Sequence, residues 1–337
     1  MPAVQHRFPT AWLAALGVTL MSLCAPAARA AEAAPAPRVA QQRFQAPGFY
    51  RSFVGTAELT ALSDGTHPFP VDTVMRGLTP EDITAGLRRE FLAVPLQGSI
   101  NAFLINTGRR LILIDAGAGA LYGDCCGQVE AQLRAAGYRP EQVDAVYLTH
   151  LHKDHVGGIV DGGRMRYPNA VVYASRRDLD YWTSPAEQAR APAYLSSFFD
   201  AASAALRPYR EAGRLKAVEG APLPDDGLEA LPTPGHTPGH LSYRFTQGNA
   251  SVLVWGDLVH VAALQLPHPE ITVQYDSDGP AARSSRERLF AAVAAQRQLV
   301  AAAHIAFPGL GHLQPDGAGY RWVPMNYDAR PSPAVGP

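Results

Sequence analysis

Apolar runs along the chain predict an ordered series of strands and helices. VGTAELTALSDG predicts a strand that runs into a turn, and INAFLINTG followed by RLILIDAG predicts a β-hairpin with Gly108 and Arg109 at its tip. Residues 128–136 place apolar side chains on one face and are followed by Gly137, which predicts an amphipathic helix with a glycine cap. VDAVYLTH then predicts a further buried strand, so a sheet opens the fold.

The pattern continues through the second half of the chain. Residues 170–174 predict a strand, and Ser175 with Asp178 three residues later predicts a capped helix start. Residues 184–213 predict an irregular helical segment, which we expect to be a lid or pocket insert. LKAVEG, GLEALPTPGH, LSYRFTQ and SVLVWGD predict a second strand-rich half, and residues 284–298 the last long helix. Two β-rich halves with helices outside them predict a four-layer α/β sandwich.

The N-terminus has the pattern of an exported protein. An apolar stretch at residues 11–23 is followed by the small-x-small pattern that ends at Ala30, and it is short for a membrane span. We expect a signal peptide over residues 1–30 and a flexible Ala/Pro-rich leader over residues 31–47. A single catalytic domain would then occupy residues 48–337, in a periplasmic or secreted product that does not associate with membranes.

Composition and charge narrow the class of function. Of the 337 residues, 47% are hydrophobic and 18% are charged, and the formal net charge is -1. This is enough apolar material for one large core, and it gives no electrostatic footprint for nucleic acid. A small-molecule partner is therefore favoured.

Removal of the signal peptide would leave two cysteines, Cys125 and Cys126, which are adjacent. Neighbouring cysteines can close only a strained ring and do not form a disulfide framework. We interpret them as two small, partly buried thiols rather than as a redox switch.

The run HLHKDH after the VDAVYLTH strand is the strongest chemical signal. It places His150, His152, Asp154 and His155 within six positions. Such polar groups at one strand end carry a high cost unless a cation organises them. The run therefore predicts a metal site.

Three further candidate ligands follow apolar runs elsewhere. His236 lies in TPGHTPGH, Asp257 ends VLVWGD and His304 follows LVAAA. Imidazole and carboxylate ligands suit Zn²⁺, Mn²⁺, Fe²⁺ or Co²⁺, and seven are too many for one tetrahedral ion. The set therefore predicts two divalent ions close together. For His260 and His67 an ordinary polar role is the favoured interpretation, although the loop of His67 lies where it can approach the pocket.

These motifs resemble the metallo-β-lactamase superfamily. Further stretches resemble, in order and spacing, the methyl parathion hydrolase group and its lactone- and aryl-ester-hydrolysing relatives: ALSDGTHPFPVD, LILIDAGAG, AAGYRPEQVDAVYLTH, GHTPGH, WGDLVHVAALQ, QYDSDG, AHIAFPGLGH and GYRWVPMNY. The similarity covers nearly all of the chain after about Pro47. It implies an αββα sandwich with the metals at the sheet edges.

The resemblance also implies a role for each ligand. It assigns His150, His152 and His236 to one metal site. It assigns Asp154, His155 and His304 to a second site, and Asp257 to a bridge between the two. Two ions, expected to be zinc with manganese, iron or cobalt as alternatives, would hold a bridging hydroxide as the nucleophile. Asp257 and Asp154 are the carboxylates assigned to catalysis. Asp115 and His240 would support the ligands, and the relatives suggest a homodimer.

Aromatic side chains are expected to form the pocket. By resemblance, Tyr122, Trp182 and Phe198 fall where the group places aromatic walls, with Tyr122 in place of an expected phenylalanine. The leading hypothesis is a hydrolase of lactones, aryl esters or organophosphate triesters, because of the full-length similarity and the aromatic, weakly charged pocket. No general acid is identifiable, which favours substrates whose leaving group is already a stable anion. Hydrolysis of β-lactams or glyoxalase-type thioesters and a non-catalytic metal-binding role are the alternatives.

Overall fold

The strands and helices of the computed structural model lie within residues 40–219 and 223–333, which are the residues that the structure describes. They belong to the unit Gln45–Pro337. The predicted signal peptide and the first part of the predicted leader, residues 31–39, lie outside the described residues. Residues 40–47 are exposed and contain no helix or strand.

The described residues contain short and long elements of both kinds. The strands are β1 Phe49–Val54, β2 Ala57–Phe69, β3 Met75–Arg76, β4 Leu96–Asn106, β5 Leu111–Ile114, β6 Ala145–Tyr147, β7 Val160–Asp161, β8 Arg164–Met165, β9 Val171–Ser175, β10 Leu215–Val218, β11 Leu228–Pro232, β12 Leu241–Gln247, β13 Ala250–Val254, β14 Thr272–Val273, β15 Leu299–Ala301, β16 Leu310–Asp316 and β17 Gly319–Pro324. The α-helices are α1 Val71–Val74, α2 Pro80–Arg89, α3 Val129–Ala135, α4 Lys153–Val156, α5 Arg176–Trp182, α6 Pro185–Arg190, α7 Ser196–Glu211, α8 Ala262–Gln265 and α9 Gly279–Gln296.

Two mixed sheets form the centre of the fold. In the described residues the first sheet has the order β1-β2-β4-β5-β6-β9-β10 and the second has the order β11-β12-β13-β15-β16-β17. The predicted hairpin is present, since β4 and β5 pair antiparallel from Phe103 with Ile114 to Asn106 with Leu111. Strands β5, β6 and β9 are parallel, as are β13 and β15. Their carboxyl ends therefore meet at common edges.

Three apolar clusters hold the layers together. One lies between the sheets and joins side chains such as Phe103, Tyr147 and Phe245. A second packs α3, α5 and α7 on the outside of the first sheet, and a third packs α9 on the outside of the second. The four-layer αββα sandwich predicted from the sequence is therefore confirmed. Among the described residues, no helix has the length and apolar character that crossing a membrane requires.

Three local predictions were wrong. LKAVEG belongs to the first half, because β10 pairs parallel with β9. The last long helix begins at Gly279, five residues earlier than predicted, because the side chain of Asp278 accepts a hydrogen bond from Ala281 N and caps it. Ser175 makes no side-chain capping bond. The carboxylate of Asp178, which the capping box would use, instead binds another loop.

Candidate metal centre

The first half of the site lies at the carboxyl end of β6. His150 and His152 follow this strand, and Asp154 and His155 lie in the short helix α4. His150, His152 and His155 are each at most 3% exposed. A chain that leaves the sheet and turns at once into a helix therefore brings four polar side chains to one buried point.

The second half comes from the other sheet. His236 lies between β11 and β12, Asp257 lies in the 3₁₀ turn Gly256–Leu258 after β13, and His304 follows β15. Gly256 has φ +60, and a Cβ there would lie 2.6 Å from His240 Nε2. Only glycine therefore permits the sharp turn that carries Asp257 into the site.

Asp257 lies at the centre of the cluster. Its Oδ2 is 3.3 Å from His236 Nε2, 3.1 Å from His304 Nε2 and 3.7 Å from His150 Nε2. Its Oδ1 is 3.1 Å from His155 Nε2. One carboxylate thus reaches histidines from both halves of the fold, as a bridging ligand must.

The candidate ligand atoms fall into groups within 4.8 Å of one another. The groups are His150, His152, His236 and Asp257; Asp154, His155 and His304; and Asp257, His260 and His304. The first two match the division that the family resemblance implies. All seven predicted ligands are therefore brought together, and they form a metal-binding cluster of histidine and aspartate.

Oxygen atoms fix the orientation of four of these histidines. The Nδ1 atom of His155 lies 2.9 Å from Asp115 Oδ2, and that of His236 lies 2.8 Å from Asp276 Oδ1. His304 Nδ1 lies 2.8 Å from Ser99 O, and His150 Nδ1 lies 3.1 Å from Thr149 Oγ1. When Nδ1 carries the proton and donates it in a hydrogen bond to the oxygen, the neutral ring keeps its lone pair on Nε2. In each of these histidines Nε2 faces the cluster.

Asp115 occupies a strained position to provide this support. Its φ is +58, in the left-handed region that aspartate adopts only at a cost. Its carboxylate accepts bonds from the amide and the hydroxyl of Thr149, both at 2.8 Å, as well as from His155. The supporting role expected for Asp115 is therefore present, and the strain has a structural purpose.

The GHTPGH loop is held from two directions. Asp178 accepts a hydrogen bond from Thr237 Oγ1 at 2.8 Å and from Gly239 N at 2.6 Å. His240 Nε2 accepts from Asp257 N at 3.0 Å, and its Nδ1 is 2.8 Å from Thr233 Oγ1. His240 thus positions the backbone of Asp257, which is the supporting role expected for it.

The unpaired atoms of the cluster fit a cation. Among the described residues, His150 Nε2, His155 Nε2 and Asp257 Oδ1 are buried with no hydrogen-bond partner, and His152 turns its Nδ1 towards His236 Nε2, 2.9 Å away. Such atoms carry a large desolvation cost in a protein interior unless a ligand takes them. Because all are nitrogen or oxygen donors of the kind that divalent transition metals bind, the residues fit the predicted ions.

The charge states of the cluster are set by burial and by mutual contact. Burial lowers the pKa of His150 well below its usual range, and His155 lowers it further. Burial would raise the pKa of Asp257, but the surrounding histidines outweigh it and hold that pKa well below its usual range. Burial lowers the pKa of His236, but Asp257 and Asp276 outweigh it and raise the pKa to about 9. A metal held by Nε2 of His236 would therefore have to displace a proton from this ring.

A pocket of about 670 Å³, measured to its open mouth, leads to the cluster. Beside the ligands its lining includes His67, Phe69, Ile100, Tyr122, Phe198 and Tyr275. No lysine or arginine is among the lining residues that the structure describes. Two of the three predicted aromatic residues therefore line the pocket, and the loop of His67 approaches it.

The prediction that Trp182 lines the pocket was wrong. Trp182 is 1% exposed and its ring lies 4.9 Å from that of His152 and 4.6 Å from that of Phe199. Helix α5 packs against β9 and α7, and this directs the indole into the outer core. Trp182 thus supports a ligand from behind.

Two residues at the site have roles that the sequence reasoning did not assign. His260, interpreted as an ordinary polar residue, is 7% exposed, lines the pocket and has Nε2 3.1 Å from Asp257 Oδ2. Asp276 holds His236. The position of His260 three residues after Asp257 was the available signal, and QYDSDG contained Asp276 without indicating its partner.

Comparison with known proteins agrees with this geometry. The model of the metallo-beta-lactamase superfamily matches residues 96–304. The crystal structure of the hydrolase AbOPH, of the beta lactamase superfamily, is 36% identical with a TM-score of 0.81 and covers 85% of this chain and 100% of its own. AidC, a dizinc quorum-quenching lactonase, is 25% identical with a TM-score of 0.78 and covers 83% of this chain and 98% of its own.

Curated relatives match over shorter segments. The N-acyl homoserine lactonase AttM of Agrobacterium fabrum (strain C58) is 30% identical over 145 residues, which are 41% of this chain and 48% of that protein. The atrochrysone carboxyl ACP thioesterase of Passalora fulva is 28% identical over 160 residues, which are 47% of this chain and 38% of that protein. The chain thus spans about half or less of the length of these relatives. Since the family model covers more than half of it, the chain belongs to the metallo-β-lactamase superfamily of hydrolases.

Proposed function

We propose that the protein is a dinuclear metal-dependent hydrolase of neutral lactones and aryl esters, with hydrolysis of organophosphate triesters as a related activity. The main support is the character of the pocket. It ends at the metal-binding cluster, and its other walls are largely aromatic and aliphatic. None of its described lining residues is lysine or arginine. An uncharged, apolar ester fits such a pocket without leaving a buried charge unpaired.

The charge of the pocket separates this proposal from β-lactam hydrolysis. A β-lactam antibiotic carries a carboxylate, and burial of a carboxylate without a cationic partner is costly. Lys153, the basic residue next to the ligand run, has its ammonium 4.8 Å from the centre of the Phe198 ring and donates to Ser197 Oγ. These contacts hold the ammonium beside Phe198 and Ser197, and Lys153 is not among the described residues that line the pocket.

The residues suit the proposed roles in the following way. His150, His152 and His236 would hold one ion, Asp154, His155 and His304 the other, and Asp257 would contact both. When bound, divalent ions supply Lewis acidity that polarises a carbonyl or phosphoryl oxygen and makes water acidic enough to react near neutral pH.

The protein's own pocket groups bind and orient the ester. Phe198 offers an apolar wall beside His152, with ring centroids 5.0 Å apart. Burial raises the pKa of Tyr122 well above its usual range, and the nearby Asp154 raises it further. The Tyr122 hydroxyl therefore stays protonated, and it lies 3.4 Å from Asp154 Oδ1. It can donate a hydrogen bond at the edge of the site.

The relatives support lactones as the first class to test. AidC and AttM are lactonases by name, and AidC resembles this chain over most of its length. Thioester hydrolysis is the second candidate, because several relatives are thioesterases.

A substrate panel tests the proposal. Metal-loaded protein would be assayed on dihydrocoumarin, phenyl acetate, methyl parathion, an acyl thioester and nitrocefin. We expect turnover of the lactone and the aryl ester, weaker turnover of the phosphotriester, and none of nitrocefin. No turnover of the first three, or preference for nitrocefin or the thioester, would refute the proposal.

We also propose that the protein is exported and that it forms a homodimer. N-terminal sequencing of protein recovered from the cell envelope or medium should begin at Ala31, after the predicted cleavage site. Sedimentation of the purified protein tests the dimer. Protein that keeps residues 1–30, or a monomer at micromolar concentration, would contradict the respective proposal.

A further inference from the structure

The metal-binding cluster makes no use of the two adjacent cysteines. Cys125 ends the 3₁₀ turn Gly123–Cys125, and Cys126 follows it. Both thiols are free and their Sγ atoms are 2.6 Å apart. Cys125 is partly exposed, whereas Cys126 is 4% exposed. One thiol is therefore open to a reagent in solution, and the second lies directly behind it.

The pair touches the wall of the pocket. Cys125 Sγ donates to Tyr122 O at 3.3 Å and lies 3.8 Å from His67 Nδ1. The rings of His67 and Tyr122 are 4.9 Å apart, and both residues line the pocket. A chemical change at the thiols is thus one contact away from two side chains that meet the substrate.

The backbone around the pair leaves little room for adjustment. Gly65 in β2 has φ +132, and a Cβ there would lie 2.1 Å from Cys125 O and 3.1 Å from Cys126 Cα. The peptide between the cysteines is therefore packed directly on the strand that carries His67. Closing a ring across that peptide changes its torsion angles, so the strand or the Tyr122 turn must move.

The two thiols differ in reactivity. Burial raises the pKa of the Cys126 thiol well above its usual range, and contact with Cys125 raises it further. Because the thiolate is the attacking form, Cys125 is the one that reacts with an external reagent.

We propose that Cys125 and Cys126 form a redox modification site, which a low-molecular-weight disulfide converts to a vicinal disulfide that retunes the substrate pocket. The Cys125 thiolate attacks one sulfur of the reagent R–S–S–R, which forms a mixed disulfide and releases RS⁻. RS⁻ takes the Cys126 proton, and Cys126 sulfur attacks Cys125 sulfur and releases the second RS⁻, which solvent protonates. The two cysteines are oxidised and the reagent is reduced to two thiols.

The sequence-based interpretation was two small, partly buried thiols rather than a redox switch, and this proposal departs from it for a structural reason. Sequence adjacency alone indicated only a strained ring, whereas the structure adds the exposure of Cys125 and its contacts with His67 and Tyr122. The predicted ligands are histidines and aspartates, so we expect the oxidised protein to keep its metal content.

The test uses the full-length, metal-loaded protein with Cys24→Ser, which removes the third cysteine of the sequence. The protein is treated with oxidised glutathione, the free thiols are alkylated, and the intact mass, the KM and kcat for dihydrocoumarin and the metal content are measured. We expect a mass loss of about 2 Da with no glutathione adduct. We also expect a KM raised about threefold or more, with kcat and metal content nearly unchanged and full reversal by dithiothreitol.

The matched control also carries Cys125→Ser and Cys126→Ser, and oxidised glutathione should not change its KM. A persistent glutathione adduct or two alkylated thiols would refute the ring. A closed ring with unchanged KM, or with loss of metal, would refute the link to the pocket. The intact mass, and the amide hydrogen exchange of residues 65–67 and 120–127 before and after oxidation, can be measured without turnover. Failure of the proposed hydrolase function would therefore be recognised separately from failure of this proposal.

Discussion

Single residues at the site are held by partners that the sequence places far away. Asp257 contacts histidines from both sheets, and its own backbone N–H is fixed by His240. The ligands themselves could be predicted because each follows a strand. Their partners could not, since Ser99 meets His304 only through the packing of the two halves, and Asp276 meets His236 from 40 residues further along the chain.

Trp182 and Phe198 provide a matched pair of aromatic substitutions. Trp182→Ala should lower the free energy of unfolding by about 3–5 kcal/mol, because a buried indole leaves a cavity beside His152. It should also weaken metal binding. Phe198→Ala should raise KM with both ions retained, because Phe198 lines the pocket. Urea unfolding and metal analysis of both variants check this. Full metal content and normal stability in Trp182→Ala would contradict the placement of Trp182 in the core behind His152.

The hydroxyl of Tyr122 provides a test of pocket polarity. Tyr122→Phe removes a donor that is 3.4 Å from Asp154 Oδ1 and makes the pocket more apolar. We expect the ratio of kcat/KM for methyl parathion to that for dihydrocoumarin to rise about fivefold, which corresponds to one buried hydrogen bond of about 1 kcal/mol. A ratio that stays constant while both substrates are turned over would show that the hydroxyl does not reach the ester.

At the scale of elements, the loop between β11 and β12 depends on helix α5. Hydrophobic periodicity predicted both elements but not their contact, because a carboxylate at the third helical position is also what a capping box uses. Asp178 in α5 instead accepts from Thr237 and Gly239. The placement of β10 failed for a related reason: a short apolar run does not indicate which sheet it joins.

Removal of the Asp178 carboxylate should loosen this loop. Asp178→Ala leaves two buried donors without acceptors, which costs about 1–3 kcal/mol for each. We expect lower stability and weaker metal binding in the group that contains His236. Asp180→Ala is the control, because Asp180 is exposed in the same helix. Equal metal affinity in the two variants, measured by competition with a chromophoric chelator, would contradict the prediction.

Asp178 should also give the metal-free protein a characteristic pH dependence. Burial raises its pKa to about 6 from an ordinary 3.8, so the folded state holds the proton more tightly than the unfolded state. Its contribution to stability is therefore full below the unfolded pKa of 3.8 and is lost as the pH rises towards 6. The stability of Asp178→Asn relative to the parent should rise over this window, by at most about 1.4 kcal/mol per pH unit. Urea-unfolding midpoints of the parent and of Asp178→Asn that differ by the same amount at every pH in this window would contradict the prediction.

At the scale of the whole molecule, two sheets with outer helices bring their strand ends together around one buried, metal-binding cluster. The αββα arrangement could be predicted because the hydrophobic pattern of strands and the order of the motifs agree. The full set of pocket walls could not, because they come from β2, the Tyr122 turn, α7 and the segment around Tyr275, whose meeting no local pattern indicates. The absence of lysine and arginine among the described pocket walls appears only after folding.

Metal content measured together with turnover tests whether the cluster holds two ions that the hydrolysis requires. The protein would be analysed by inductively coupled plasma mass spectrometry and assayed on dihydrocoumarin from the same preparation, beside Asp257→Ala and the control Asp161→Ala. We expect about two ions per chain in the parent and the control, and at most about one in Asp257→Ala. The kcat/KM of Asp257→Ala should be lower than that of the parent by a factor of about 100 or more. A parent that turns over with less than one ion per chain, or an Asp257→Ala variant that keeps both ions and full activity, would show that hydrolysis does not depend on two ions held through Asp257.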